Sequence, residues 1–208
     1  MPVVEPVSGL VGSAAFLAAH VARRPADPLA PLLWERVKSA IGRILNREPA
    51  PGDITGATIR AAVNAEPGVG DALNAARANF TGLRRAEAVE KVVRGARIVW
   101  INRQPQHNTW ERELFHSFGS TIVAVDTPGA ALTAAQHDTV HVAISDVHRY
   151  DDPSGGVAAV EEFHGTGADV PVVFYVNDLA GSFGAYGRTN EPNELLHLVL
   201  DRLERSRI

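Results

Sequence analysis

Through residue 95 the apolar positions recur every three or four residues, the period of helices that bury one stripe. Ser8–Arg24 carries Leu10, Val11, Ala14, Ala15, Phe16, Leu17 and Val21 before Pro25 stops it. Pro31–Asn46 repeats the spacing with Leu32, Leu33, Val37, Ile41, Ile44 and Leu45, while Glu35, Arg36, Lys38 and Arg43 fall elsewhere. Arg47–Asp53 holds Pro49, Pro51 and Gly52 and reads as a loop. Ile54–Ala65 and Val69–Phe80 form two shorter helices divided at Pro67-Gly68, and Gly82–Arg94 forms a fifth. No strand is predicted in this half.

After residue 95 the period changes. Ala96–Ile101, Thr121–Val125, Val140–Ile144 and Val170–Val176 are short β-branched runs, the signature of buried parallel strands. A weaker fifth strand fits Ala185–Thr189. Helical patterns lie between and after them, at Thr109–Phe118, Gly129–Gln136, Gly156–His164 and Pro192–Arg205. Strands alternating with helices predict a doubly wound α/β layer. Five strands in so short a stretch favour a flavodoxin-like sheet over a six-stranded dinucleotide fold. The expected fold is a five-stranded parallel sheet preceded by a small all-helical module, residues 1–95 and 96–208, each half separable from the other.

Composition narrows the chemistry. The chain has 208 residues and no cysteine, which excludes disulfides, a thiolate nucleophile and thiolate metal sites. Residues 1–95 hold 12 bases and 9 acids; residues 96–208 hold 8 and 15. The overall charge of −4 gives no drive toward nucleic acid. No stretch reaches the roughly 18 apolar residues of a membrane span, and Val7–Val21 lacks the basic flank of a signal peptide. A cytoplasmic protein is the expectation, and arginine-rich, lysine-poor composition suggests a bacterial source.

The strand ends carry a resemblance. Ile98-Val99-Trp100-Ile101-Asn102-Arg103-Gln104-Pro105 resembles the first strand of a response-regulator receiver domain and the acidic turn after it. Glu111-Arg112-Glu113-Leu114, followed by Gly119, resembles the receiver's first helix. Val142-Ala143-Ile144-Ser145-Asp146 resembles the strand that ends in the phosphoacceptor. Pro171-Val172-Val173-Phe174-Tyr175 and Thr189-Asn190-Glu191-Pro192 resemble the fourth strand and the approach to the last helix. The likeness spans roughly residues 96–206, about half the chain.

At the chemical positions the resemblance implies loss. A receiver holds Mg²⁺ with two acids after its first strand, because this hard cation takes carboxylate and water oxygens. Here those positions are Asn102 and Arg103. The acceptor matches Asp146, the hydroxyl residue after strand four matches Val176, and the conserved-role lysine matches Glu191. Four of the five are replaced, which implies a degenerate phosphoacceptor pocket, a pseudo-receiver. The resemblance further implies a partner surface that includes Phe183, Tyr186 and Arg188. A structural contact between Asp146 and Arg103 outweighs phosphotransfer for the surviving acid.

Other motifs are weaker. Asp146-Val147-His148 follows a strand as in two-metal phosphoesterases, which activate water on their metals. No Gly-Asp or Gly-Asn-His motif of that chemistry follows it in the sequence. Glu161 and Glu162 are adjacent on a helix and point in different directions, so a solvated face is expected. Gly9-Leu10-Val11-Gly12 has no strand before it, and Ser154-Gly155-Gly156 reads as a loop leading into a helix. The basic cluster Arg84, Arg85, Lys91, Arg94 and Arg97 is interrupted by acids and reads as solvated helix.

The sequence therefore points to a non-enzymatic signalling or adaptor protein acting through protein–protein contacts, with a homo-oligomer left open. No catalytic residue, cofactor or metal is expected, and neither nucleic acid nor a membrane span is a partner. The competing reading is a small-ligand binder or metal-dependent phosphoester- or nucleotide-processing enzyme using a strand-end crevice at Asn102, Asp146 and His148.

Overall fold

The computed structural model describes residues 7–145, 160–161, 170–176 and 186–206. The helical pattern of the first half becomes α1 (Val7–Arg23), α2 (Ala30–Leu45), α3 (Gly56–Ala65), α4 (Pro67–Asn79), α5 (Thr81–Ala88) and α6 (Glu90–Val93). The expected fifth helix is thus two. Val89 leaves helical geometry at φ −109° and ψ 25°, and its N–H closes the end of α5 on Arg85 and Glu87 carbonyls. Next come β1 (Arg97–Ile101), a 3₁₀ turn at Pro105–Asn108, α7 (Thr109–Ser117), β2 (Thr121–Val125) and α8 (Pro128–His137). β3 (Val142–Ser145), β4 (Val172–Tyr175), β5 (Gly187–Thr189) and α9 (Pro192–Ser206) complete the described elements. The helix expected at Gly156–His164 falls mostly outside the described residues, and only Val160–Glu161 is seen as helical.

Contacts gather the chain into two units, Met1–Val89 with Asn108–Phe118, and Glu90–His107 with Gly119–Ile208. The helix that the sequence pattern assigns to the sheet, α7, packs on α1. Amphipathic spacing marks α7 as having a buried face but cannot name what covers it. Leu114, Phe115 and Phe118 are buried, and the Phe118 ring lies where a Cβ on Gly12 would stand only 2.7 Å from it. Glycine at position 12 is what lets that ring approach.

In this first unit α1 is the central helix. Every residue from Val11 to His20 is buried, and α2, α3, α4, α5 and α7 all touch it. A helix buried all round must be apolar all round, which the Ala-rich sequence supplies. Ser13 meets this demand by returning its hydroxyl to Gly9 O at 2.9 Å. At the end of α1, Arg23 Nε donates to Glu111 Oε1 at 2.9 Å, and its guanidinium also bonds Asn108 Oδ1.

In the second unit the strands are all parallel, in the order β2-β1-β3-β4-β5. Alternate residues point to opposite faces. One face carries Val99, Ile101, Ala143, Val172, Phe174 and Val176, clustered with Ala131 of α8 and with Val160. The other carries Ile98, Trp100, Ile144, Val173 and Tyr175, with Trp100 and Tyr175 edge-to-face at 6.0 Å. α9 contacts β3, β4, β5 and α6 through a stripe of Leu195, Leu196, Val199, Leu200 and Leu203. β1, β3, β4 and β5 are shorter than the apolar runs, and β2 matches its run. At the start of β3 the His141 ring replaces a ladder partner, Nδ1 accepting the Arg97 N–H at 3.1 Å while His141 N–H donates to Arg97 O at 2.9 Å.

Candidate functional site

In an open parallel sheet, ligands bind beyond the carboxyl ends of the strands, where the strand order reverses. Here that point lies between β1 and β3. The register pairs Ile101 with Ser145, Ser145 with Phe174, and Tyr175 with Thr189. Asn102, Val176 and Glu191 therefore follow the ends of β1, β4 and β5 along one rim of the sheet. Asp146 follows Ser145 in sequence but lies outside the described residues, as do His148, Ser154-Gly155-Gly156, Glu162 and Phe183.

Each described position has a definite local role. Asn102 is buried, its N–H donating to Val125 O at 2.8 Å and its Oδ1 accepting the Gln104 N–H at 2.7 Å. That second bond is an Asx turn, which steers the chain out of β1. Arg103 is exposed. Val176 is buried in the α8-side cluster, and its N–H donates to Thr189 O at 2.9 Å. Glu191 is half-buried, and its N–H donates to Thr189 Oγ1 at 2.9 Å.

Thr189 is the residue that sequence reasoning missed. It is fully buried and places a hydroxyl at the rim, yet Oγ1 donates to Glu194 Oε2 at 2.7 Å while accepting from Glu191. The hydroxyl thus fixes the start of α9. Its sequence signal was a threonine two residues before the Glu-Pro that opens a helix.

On the implied partner surface, Arg188 is exposed and Tyr186 is half-buried, its ring edge-to-face with Phe174 at 5.6 Å. Tyr186 therefore serves the core on one side. In the basic cluster, Arg84 donates to the Arg77 and Ala78 carbonyls at the end of α4, Arg94 pairs with Glu90, and Arg97 with Asp138 at 2.8 Å. A groove of about 640 Å³ in the helical unit is lined by Asn74, Arg77, Arg84 and Glu87.

His20 was likewise missed as a packed residue, although Phe16 four positions earlier signals a shared face. Its ring stacks on Phe16 and leans on Phe80, with Nε2 at 3.3 Å from Asp27 Oδ2. Burial opposes ionisation of Asp27. The Ala30 and Leu29 N–H groups and His20 outweigh it and hold the carboxyl below its ordinary value. Among the described residues no group of three acids and histidines is placed to hold a metal, and no helix is long and apolar enough to cross a membrane.

The sheet is flavodoxin-like: its parallel order is the one that receiver domains share. Similarity extends to a solved structure described as the response regulator PhyR from Brucella abortus, 17% identical, with 93% of each chain covered and a TM-score of 0.45. No protein-family model matches the chain, and no curated protein does.

Proposed function

We propose that the chain is a signalling or adaptor protein in which a pseudo-receiver, joined to a helical module, works by protein contact and without phosphotransfer. The observation that carries this reading is the end of β1. The buried side chain there is the neutral Asn102, and its oxygen already holds the Gln104 N–H. A cation needs carboxylate oxygens at that place. At about 4 Å and an effective dielectric near 20, each pair of unit charges interacts by roughly 4 kcal/mol, so replacing acids by an amide and an arginine removes a large attraction.

Two further positions support the same reading. Val176 offers no hydroxyl to a phosphoryl group, and Glu191 adds negative charge where a phosphate would need a cation. Protein contact through Tyr186 and Arg188 on the β5 side, together with Phe183, is the output assigned to this domain. A bacterial, cytoplasmic setting fits the arginine-rich, cysteine-free composition.

The test is beryllofluoride with Mg²⁺, read by the fluorescence of Trp100, which lies on β1 two residues before Asn102. Trp34 and Trp110 pack edge-to-face with each other in the helical unit and supply a constant background. The expected result is no saturable change. A saturable, Mg²⁺-dependent signal that disappears in Asp146→Asn would restore a phosphorylation switch and overturn the proposal.

A further inference from the structure

We propose that the groove between α4 and α5 is a binding site for a small phosphate ester. It lies wholly within the helical unit and is independent of the strand-end rim. One residue, Phe80, joins the two helices. Its N–H closes α4 on Ala76 O at 3.0 Å, and its carbonyl receives the Arg84 N–H at the start of α5. This joint brings Asn74, Arg77 and Ala78 of α4 beside Arg84, Glu87 and Ala88 of α5, around a space of about 640 Å³.

Both arginines are held in place by the protein. Arg77 Nε lies 2.8 Å and 3.0 Å from the two oxygens of Glu87, and Arg77 Nη1 donates to Asn74 Oδ1 at 3.3 Å. Arg84 Nη1 donates to the Arg77 carbonyl at 3.2 Å and to that of Ala78, where a cation also meets the negative end of α4. A guanidinium has five N–H donors on three nitrogens. One nitrogen of Arg84 serves the backbone, and its Nε and Nη2 are bonded to none of the described residues.

Glu87 is the one acid in the lining, and it does not cancel both cations. A Cβ on Gly9 would stand 2.9 Å from Glu87 Oε1, so the carboxylate is pressed against α1 as well as onto Arg77. Arg84 meets no carboxylate among the described residues. Two bases to one acid leave the lining a positive surplus. The Asn74 amide nitrogen adds a neutral donor, because its oxygen is taken by Arg77.

The ligand class follows from donors and room. A carboxylate carries one charge and suits one guanidinium. A phosphate monoester carries about −1.5 to −2 at neutral pH and offers three acceptor oxygens, which matches two guanidiniums and an amide. The space is far larger than a phosphate ion and falls in the range of roughly 300–1,000 Å³ typical of small-molecule sites, so an organic part is required. Ala78 and Ala88, both exposed, give that part short methyl walls. With the guanidiniums already positioned, little side-chain ordering opposes binding.

Calorimetric titration of the full chain with adenosine 5′-monophosphate tests the proposal, with adenosine and inorganic phosphate titrated separately. Saturable binding of the nucleotide is expected, roughly tenfold or more tighter than either part. Ala88→Glu sets a carboxylate in the groove without removing a side-chain bond, and should weaken the nucleotide roughly tenfold or more. Ala88→Gln, similar in size and uncharged, should bind as the native chain does. Arg84→Gln should match Ala88→Glu, with circular dichroism reporting whether the helices persist.

Absence of saturable nucleotide binding overturns the proposal. Adenosine binding as tightly as the nucleotide overturns it too, since the phosphate would then contribute nothing. Inorganic phosphate binding equally well does the same, because the groove would then hold an ion and no ester. Equal effects of Ala88→Glu and Ala88→Gln place the nucleotide elsewhere and overturn it whatever Arg84→Gln does to the fold.

Discussion

The hydroxyl of Thr189 donates to the Glu194 carboxylate at 2.7 Å and so ties the end of β5 to the first turn of α9. Thr189 is fully buried and also receives the Glu191 N–H, so its oxygen has both a donor and an acceptor role. Thr189→Val keeps the shape and removes both bonds. The expected loss is about 1–2 kcal/mol, measured as a lower urea midpoint with an unchanged slope. Thr189→Ser should retain most of the stability. Equal losses in both variants would mean that the methyl group, not the hydroxyl, matters.

Arg23 and Glu111 form an ion pair with side chains 14% and 2% exposed. Arg23→Met takes the guanidinium from a carboxylate held out of water, which costs about 3–5 kcal/mol. Adding Glu111→Leu removes the stranded charge as well and should recover much of the loss. A double variant no more stable than Arg23→Met would show that the pair is not the source of the effect. Urea unfolding of the three variants makes the comparison.

The division of labour between α1 and α7 shows what the sequence could and could not tell. The period of apolar residues placed nearly every helix, and Thr121–Val125 emerged with the bounds its β-branched run announced. Partnership was not legible: Leu114, Phe115 and Phe118 declare a buried face, but pattern alone is silent on whether a sheet or another helix covers it. The rim followed the same rule. Asn102 and Val176 were visible because each stands where a different residue type is demanded, whereas Thr189 was not, because a buried hydroxyl is recognised only by its partners. His20 was hidden for the related reason that its neighbour Phe80 lies far along the chain.

Asp27 gives a pH dependence. Its carboxyl is held below the ordinary value of 3.8, chiefly against burial, by the Ala30 and Leu29 N–H groups and by His20. A carboxyl with a depressed folded-state value stabilises fully above its unfolded value, and the contribution fades as the pH falls through the folded one. Asp27→Ala should therefore cost about 1 kcal/mol at neutral pH, as for a lost helix-capping acceptor. That difference should shrink as the pH drops below the ordinary value. A constant difference down to strong acid would contradict the assignment, with denaturation midpoints across pH as the measurement.

Gly12 and Phe118 form a packed pair. An alanine at position 12 would place Cβ 2.7 Å from Phe118 Cζ and 3.1 Å and 3.2 Å from its two Cε atoms. Helix propensity favours alanine by about 1 kcal/mol, but overpacking a buried ring costs about 1–3 kcal/mol. Gly12→Ala should lower the thermal midpoint, and Phe118→Leu should be better tolerated in its presence than alone. Absence of that coupling in the double-mutant cycle would place the ring elsewhere.

The Arg23–Glu111 bond also has a consequence for the order in which the protein is made. Its two ends are separated by 88 positions. At a ribosomal rate of about 5–20 residues per second, α1 emerges roughly 4–18 seconds before the helix that completes its surroundings. By the end of that interval Val11–Ala19 has α2 to α5 for company but not Phe115 or Phe118. α1 is thus finished by a helix made well after it, and the nascent chain carries an open apolar groove until β1 has already been translated.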